Sequence, residues 1–384
     1  MKNRIIFAIA SLVIIIICSL SIFIKIRLGR LYSSRVGHLC FNLDNYIFIN
    51  KNFLQITLFG IDKSVSNKKI LEIINRNNKL IFFSRFFFFV YKILEKSFLK
   101  NYFLIDYKKE LHPNFSLKSR SDSLIKFNSS ELKEGEKFLK SEELYKKNYV
   151  IFHNRDNAYN IFIKNDKNIH NYRNFNFEDY QKTINFCNKK NILALRAGVV
   201  SKKIKKNFKS KFYSFTNSNY SEFNNLYLMH NSKLVVGGNS GFLEIASLLR
   251  KPILMINTIP FNFDDFYSKS FGSIIVPKKI YSFKKKRFLK IFEINNLNHD
   301  IHYKGDFYKD NGLKYIDNTP NEILFSFKEM LEKINDKENY LRKYKFIKNK
   351  LDKVFSNNKI YNLLLRELDI NISYTFLGNN KFLL

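Results

Sequence analysis

Apolar positions fall into one long block near the start of the chain and many short ones after it. From Ile5 to Ile24 no residue carries a charge (IIFAIASLVIIIICSLSIFI), and Arg4 and Lys25 bracket the run. Some twenty helical residues rise about 30 Å, the thickness of a bilayer's hydrocarbon core. The pattern therefore predicts an uncleaved transmembrane helix. A cleavable signal would show a shorter apolar core and a small-x-small site. Lys2 and Arg4 precede the run and Lys25, Arg27, Arg30 and Arg35 follow it. That slight imbalance predicts a single-pass protein of the cell inner membrane with its body facing the cytoplasm.

Beyond the anchor the apolar runs shorten and alternate in type. Gln55–Gly60 has strand chemistry, and Lys68–Asn77 has helical spacing through Ile70, Leu71, Ile73 and Ile74. Phe82–Tyr91 is short, aromatic and interrupted by Arg85. Periodicity leaves it as either a core element or a patch at the membrane interface, with Lys92, Lys96 and Lys100 behind it. Residues 110–147 are polar and read as a linker holding a helix. From Tyr149 onward apolar strands alternate with helices: Tyr149–Phe152, Ile192–Leu195, Phe212–Phe215, Leu234–Gly237 and Pro252–Ile256 are the strands. Such alternation predicts a doubly wound parallel α/β sheet. Helices near 320–335 and 337–366 close the chain. The predicted divisions are a 1–30 anchor, a 31–147 N-terminal α/β domain with linker, a 148–335 C-terminal α/β domain and a 336–384 helical segment.

Charge narrows the partners. Lys and Arg number 66 against 33 Asp and Glu, a formal net charge of +33. A surface of this sign attracts anionic lipid and phosphorylated ligands. Nucleic acid is an unlikely partner, because no zinc spacing, basic zipper or RNA-binding aromatic run accompanies the charge. The cysteines, Cys18, Cys40 and Cys187, make neither a disulfide framework nor a metal-ligand spacing. They suit a reducing compartment, and no metal or cofactor is expected.

Candidate chemistry sits where strands end. His153-Asn154-Arg155-Asp156 follows a buried strand directly, and ligands of open α/β sheets bind at that end. There Arg155 suits a phosphate and His153 or Asp156 a proton, unless the run is a polar loop with a local ion pair. His170-Asn171-Tyr172-Arg173-Asn174 gathers side chains that suit a sugar or phosphate. Gly237-Gly238-Asn239-Ser240-Gly241 joins a strand to a helix, with Glu244 one turn in. Backbone N–H groups there suit a diphosphate and Glu244 a ribose or sugar hydroxyl, although a plain tight turn has the same spelling. It lacks both GxGxxG and the Walker lysine. Arg196 and Gly198 end another strand. Arg35, Gly37 and His38 mark a turn suited to a phosphorylated acceptor, or a juxtamembrane basic loop. The lysine runs 202–211 and 278–287 read as solvated faces.

At these residues the sequence resembles a family of bacterial glycosyltransferases found in surface-polysaccharide gene neighbourhoods. The resemblance is carried by Arg35-Val36-Gly37-His38, His153-x-Arg155-Asp156-x-Ala158-Tyr159, His170–Asn174, Arg196-x-Gly198, Gly238-x-Ser240-Gly241, Arg250-x-Pro252, Asn257 and Asn318–Ile323. It implies a GT-B-like fold, two Rossmann-type domains facing a cleft, with a nucleotide-sugar donor held mainly by the second. It implies transfer of a sugar to a lipid-linked or growing surface glycan, as in lipopolysaccharide. His153, Arg155 and Asp156 are then the catalytic candidates. Arg173, Arg196, Gly238, Ser240, Gly241 and Glu244 bind the donor. Arg35, Gly37, His38, Tyr159, His170, Asn171, Tyr172 and Asn174 bind acceptor or sugar. Asn154 replaces the family's usual hydrophobic residue between His153 and Arg155. The alternatives are another surface-polysaccharide transferase, of pyruvyl or fucosyl type, and a non-catalytic membrane- or glycan-binding scaffold.

Overall fold

Short apolar strands followed by capped helices build both parts of the chain. The computed structural model describes residues 2–49, 55–105, 122–162, 170–205, 208–263, 271–297 and 306–384. It divides into two compact units, Met1–Leu132 and Lys133–Leu384.

In the first unit, β1 (Lys25–Leu31), β2 (Gln55–Ile61) and β3 (Ile81–Ser84) form a parallel sheet in the order β1-β2-β3. Helix α1 (Lys2–Leu20) precedes β1, and α2 (Val36–Ile49) and α3 (Lys68–Asn77) make the crossovers. Asn67 caps α3, its side-chain oxygen accepting from the Ile70 N–H. The buried face of α3 is Ile70, Leu71, Ile73 and Ile74, as its periodicity predicts. The aromatic stretch splits at Ser84, whose hydroxyl caps α4 (Arg85–Glu95) by accepting from the Phe86 N–H. Gly60 belongs to β2. A Cβ there would lie 2.5 Å from the Phe88 backbone nitrogen, so glycine is what lets α4 rest on the sheet.

The segment expected to span a membrane is different from that expectation. No helix among the described residues is long and apolar enough to cross one. Helix α1 stops at Leu20, a turn follows, and Lys25 opens β1. Ala10 and Ile17 of α1 are buried against Ile26, Leu28, Val90, Leu94 and Phe103, with Phe86, Phe89 and Ile93 packed alongside. The stretch around Phe86–Leu94 is thus largely core. Composition does not distinguish a lipid-facing helix from one that lays a single face on a sheet.

The second unit is a seven-stranded sheet in which every pairing is parallel. It contains β4 (Tyr149–His153), β5 (Leu193–Ala197), β6 (Tyr213–Phe215), β7 (Val235–Gly237), β8 (Ile253–Thr258) and β9 (Ile274–Pro277). A small antiparallel sheet, β10 (Lys279–Ser282), β11 (Arg287–Phe288) and β12 (Leu313–Ile316), follows, and β13 (Asn371–Ile372) returns to the edge of the large one. The spatial order is β13-β9-β8-β7-β4-β5-β6. The chain runs outward from β4 to β6, then comes back to the other side of β4 as β7. That reversal is a topological switch point, and its crevice lies at the carboxyl ends of β4 and β7. Three helices matter to it: α5 (Gln181–Lys189), α6 (Glu222–Asn231) and α7 (Gly241–Leu248).

The 318–323 segment starts helix α8 (Pro320–Asn335). Thr319 and Glu322 exchange hydrogen bonds in a capping box, with Pro320 in the first turn. Asn318 is buried and trades hydrogen bonds of 2.6 Å with Asn257 at the end of β8. Glu329 of α8 is buried and accepts from the Ser373 and Thr375 hydroxyls and the Tyr374 and Thr375 N–H groups. The residues after 336 therefore close onto the second unit through their own hydrogen bonds.

Candidate functional site

The four residues from His153, the last of β4, to Asp156 turn in three directions. The β4 backbone pairs Phe152 with Arg196 on one side and His153 with Gly237 on the other, which sets the crevice walls. His153 Nδ1 lies 2.9 Å from the Ala197 carbonyl oxygen, and its ring stacks on Phe242 of α7 with centroids 4.5 Å apart. Burial pushes the imidazole down to about 4, against the opposing Ala197 hydrogen bond and the Asp156 charge. The ring is neutral at physiological pH, with Nδ1–H donating and Nε2 left as an acceptor. Gly198 continues the wall. Its φ is +148°, and a Cβ there would come 3.1 Å from His153 Nδ1.

Asn154 turns inward. Its amide donates to the Phe175 carbonyl at 3.2 Å, and its oxygen accepts from Arg196 Nη2 at 3.1 Å. Arg196 is 4 % exposed, lies 4.4 Å over the Phe177 ring and donates to the Lys202 carbonyl at 3.0 Å. Asp156 faces the same cluster. It accepts from the Ala158 N–H at 2.8 Å and the Lys202 N–H at 3.0 Å, and sits 3.8 Å from Arg196 Nη2. Asp156 and Arg196 are thus fastened to the loops around them.

Arg155 turns the other way, toward the 170–174 segment. Its Nη1 donates to the His170 carbonyl at 2.8 Å and to the Asn174 side chain. His170 takes a left-handed conformation, φ 84°, and its ring nitrogen bonds the Tyr172 hydroxyl at 2.9 Å. The Asn174 amide donates to Asn157 and Asn171. Tyr172 is 1 % exposed and packs against Tyr308, so its ring is core rather than a stacking platform for a sugar. Arg173 lies over the Tyr172 ring at 5.5 Å. Burial and then the like charge of Arg173 push the Arg155 guanidinium down to about 10.

Lys278 holds this segment from below. It is 1 % exposed, donates to the Tyr172 carbonyl at 2.7 Å and the Asn174 carbonyl at 3.1 Å, and pairs with Asp317 at 2.6 Å. Lys279 is also buried and pairs with Glu322 at 2.6 Å. The start of the 278–287 run is therefore interior, not a solvated face. Lys278 follows the buried run Ile274–Pro277 directly, the one signal in the sequence that points inward.

The glycine turn completes the crevice. A Cβ at Gly237 would meet the His153 carbonyl oxygen at 2.9 Å, and one at Gly238 would meet Phe175 at 2.7 Å. Phe175 in turn donates its N–H to the Arg155 carbonyl at 3.2 Å, which ties this turn to the arginine. Ser240 is the N-cap of α7, yet its hydroxyl makes no capping bond. The Ser240 hydroxyl and the Asn239 side-chain oxygen are both buried with no hydrogen-bond partner among the described residues. Glu244 lies in the first turn of α7 behind Gly241.

Tyr159, 37 % exposed, stands on the short helix Ala158–Phe162 beyond Asp156. Arg35, Gly37 and His38 belong to the first unit: Arg35 directly precedes α2, and Gly37 and His38 lie in its first turn, where the His38 ring is 5.9 Å from that of Tyr32. Among the described residues no group of three or more His, Cys, Asp or Glu side chains is placed to hold a metal ion.

No protein-family model matches the chain, and no curated protein does. Solved structures with a similar trace include a glycosyltransferase of family 9 from Veillonella parvula DSM 2008, at TM-score 0.47 and 10 % identity over 80 % of this chain and 98 % of that one. Another is the E. coli ADP-heptose lipopolysaccharide heptosyltransferase II, at TM-score 0.41 and 9 % identity over 65 % and 90 %. A third is the E. coli heptosyltransferase WaaC with ADP, at TM-score 0.37 and 10 % identity over 74 % and 98 %. Likeness at this level is a resemblance of chain trace alone.

Proposed function

We propose that this chain is a glycosyltransferase that binds a nucleoside-diphosphate sugar in the β4–β7 crevice. The sugar passes to a lipid-linked or growing surface glycan at the cytoplasmic face of the inner membrane. The observation that carries the proposal is the glycine turn at the start of α7, where the Ser240 hydroxyl is buried, makes no capping bond and has no hydrogen-bond partner among the described residues. The turn follows β7, which pairs with the strand that leads into Arg155. A diphosphate there would accept from that hydroxyl and from the backbone N–H groups of the turn.

In this account the turn from Gly238 to Gly241 receives the phosphates on backbone N–H groups, the Ser240 hydroxyl adds a donor, and Glu244 accepts from a donor hydroxyl. Arg155 and Arg173 stabilise the charge that grows on the leaving diphosphate as the glycosidic bond breaks, which lowers the barrier more than the ground state. His153 Nε2 is the proton acceptor. Asp156, Arg196, His170, Asn171, Tyr172 and Asn174 position those groups. Tyr159 and, on the first unit, Arg35, Gly37 and His38 are the acceptor-side candidates. A screen of nucleotide sugars against the full chain, by calorimetry and by product formation, tests the proposal. Binding without transfer to any glycan acceptor would reduce the protein to a binding module, and no binding at all would refute the donor site.

A further inference from the structure

Helix α1 buries one narrow face and leaves the rest apolar and exposed. Ala10 and Ile17 face the core, whereas Ile5, Phe7, Ile9, Leu12, Ile15, Ile16 and Leu20 point outward. The turn after it exposes Ile22 at 79 % and Phe23 at 87 %. Three hydroxyls lie on this helix and turn, and each is returned to the helix's own backbone. Ser11 donates to the Phe7 carbonyl at 3.0 Å, Ser19 to Ile15 at 3.1 Å and Ser21 to Cys18 at 2.7 Å. A face whose polar groups are satisfied internally suits hydrocarbon better than water.

We infer that the first unit lies on an anionic bilayer through the outer face of α1 and the Ile22–Phe23 turn, without crossing it. The occupant is lipid because the charge fits lipid. Lys25 follows the turn, and Lys96 and Lys100 flank Phe98, which is 92 % exposed on the same unit. Glu95, the acidic group nearest them in sequence, is already paired with Lys92 at 2.7 Å. A second copy of a chain carrying +33 would meet like charge on this surface, whereas anionic headgroups meet opposite charge. An amphipathic helix of this kind seats its apolar side about 5–10 Å into the headgroup boundary. This goes beyond the transferase proposal and does not depend on it.

The chain has no Trp, so Phe23→Trp places a single emitter in the turn. The full chain carrying it is mixed with phosphatidylcholine vesicles, with or without about one third phosphatidylglycerol. The expected result is a blue shift and quenching by brominated lipid with the anionic vesicles. Substitutions Ile15→Glu and Ile16→Glu on the exposed face should leave the circular dichroism unchanged and cut vesicle partitioning by about tenfold or more. Salt near 0.5 M should weaken capture without removing the blue shift of the bound fraction. Three outcomes overturn the inference. One is unchanged emission. Another is full binding by the Ile15→Glu/Ile16→Glu variant, which would assign capture to the basic surface alone. The third is a stable dimer in sedimentation with no vesicle binding, which would cover the face with a second copy.

Discussion

His153 Nδ1 and the Ala197 carbonyl oxygen are 2.9 Å apart, and that bond fixes the tautomer of the ring. Nδ1–H donates across from β4 to β5, so Nε2 carries the lone pair. Because burial holds the ring's pKa near 4, below its ordinary 6.5, folding disfavours the protonated form. The unfolded chain therefore binds more protons between those values, and His153 costs stability as pH falls from 6.5 toward 4. His153→Phe keeps the stack on Phe242 and removes the titration. Its melting temperature should fall less steeply than that of the parent across that window, and turnover should be lost if Nε2 takes the acceptor proton.

Asp179 gives a second pH signature of opposite sign. Burial, and then the neighbouring Asp317 charge, push its carboxyl up to about 6 from the ordinary 3.8. Here the folded state binds more protons, so stability declines as pH rises from 3.8 through 6. Asp179→Asn should raise the melting temperature at pH 8 and leave it nearly unchanged at pH 3.5. A uniform shift at both pH values would mean that the carboxyl does not titrate in this window.

Glu131 pairs with two basic residues of α3. Its side chain is 4 % exposed and accepts from Arg76 at 2.8 Å and Lys69 at 3.0 Å. Burial would raise its pKa, but Arg76, the Asn128 N–H and Lys69 hold it down to about 2. Arg76→Met leaves the carboxylate with Lys69 and the Asn128 N–H and should cost about 2 kcal/mol of stability at neutral pH. Chemical denaturation checks it. The loss should shrink as pH falls from the ordinary carboxylate range toward 2, where the carboxyl protonates.

Strand and helix identities in the second unit were readable because buried parallel strands are continuous apolar runs. Tyr149–Phe152 and Ile253–Ile256 announce themselves that way. Helix α1 was not readable, because its sequence is apolar on every side and only the sheet beneath it selects which face is covered. Asn154 and Lys278 were hidden for another reason. Asn and Lys are abundant throughout the chain, so residue type does not mark the buried copies, and only the apolar run before Lys278 points inward. Asn318–Ile323, one of the segments that carry the resemblance, is a helix start built on a capping box.

Arg155 should matter through its shape as well as its charge. Its Nη1 donates to the His170 carbonyl and to the Asn174 side chain, which holds the planar guanidinium in place. Arg155→Lys retains the charge but loses the planar fork, and turnover should fall by about tenfold or more with a smaller change in donor affinity. Equal losses in both would make Arg155 a ground-state binding group.

The central claim is that the β4–β7 crevice holds a nucleoside diphosphate, and calorimetry on the full chain tests it most directly. ADP, UDP and GDP are titrated into the parent, Ser240→Ala and Arg155→Ala. Ser240 lends its hydroxyl to no group among the described residues, so removing it should leave the fold intact. It should weaken nucleotide binding by about 1 kcal/mol, and Arg155→Ala by about 2 kcal/mol or more. The account predicts that one of the three nucleotides binds the parent and that both variants lose affinity in that order. A parent that binds none of them, or variants that bind as tightly as the parent, would contradict it.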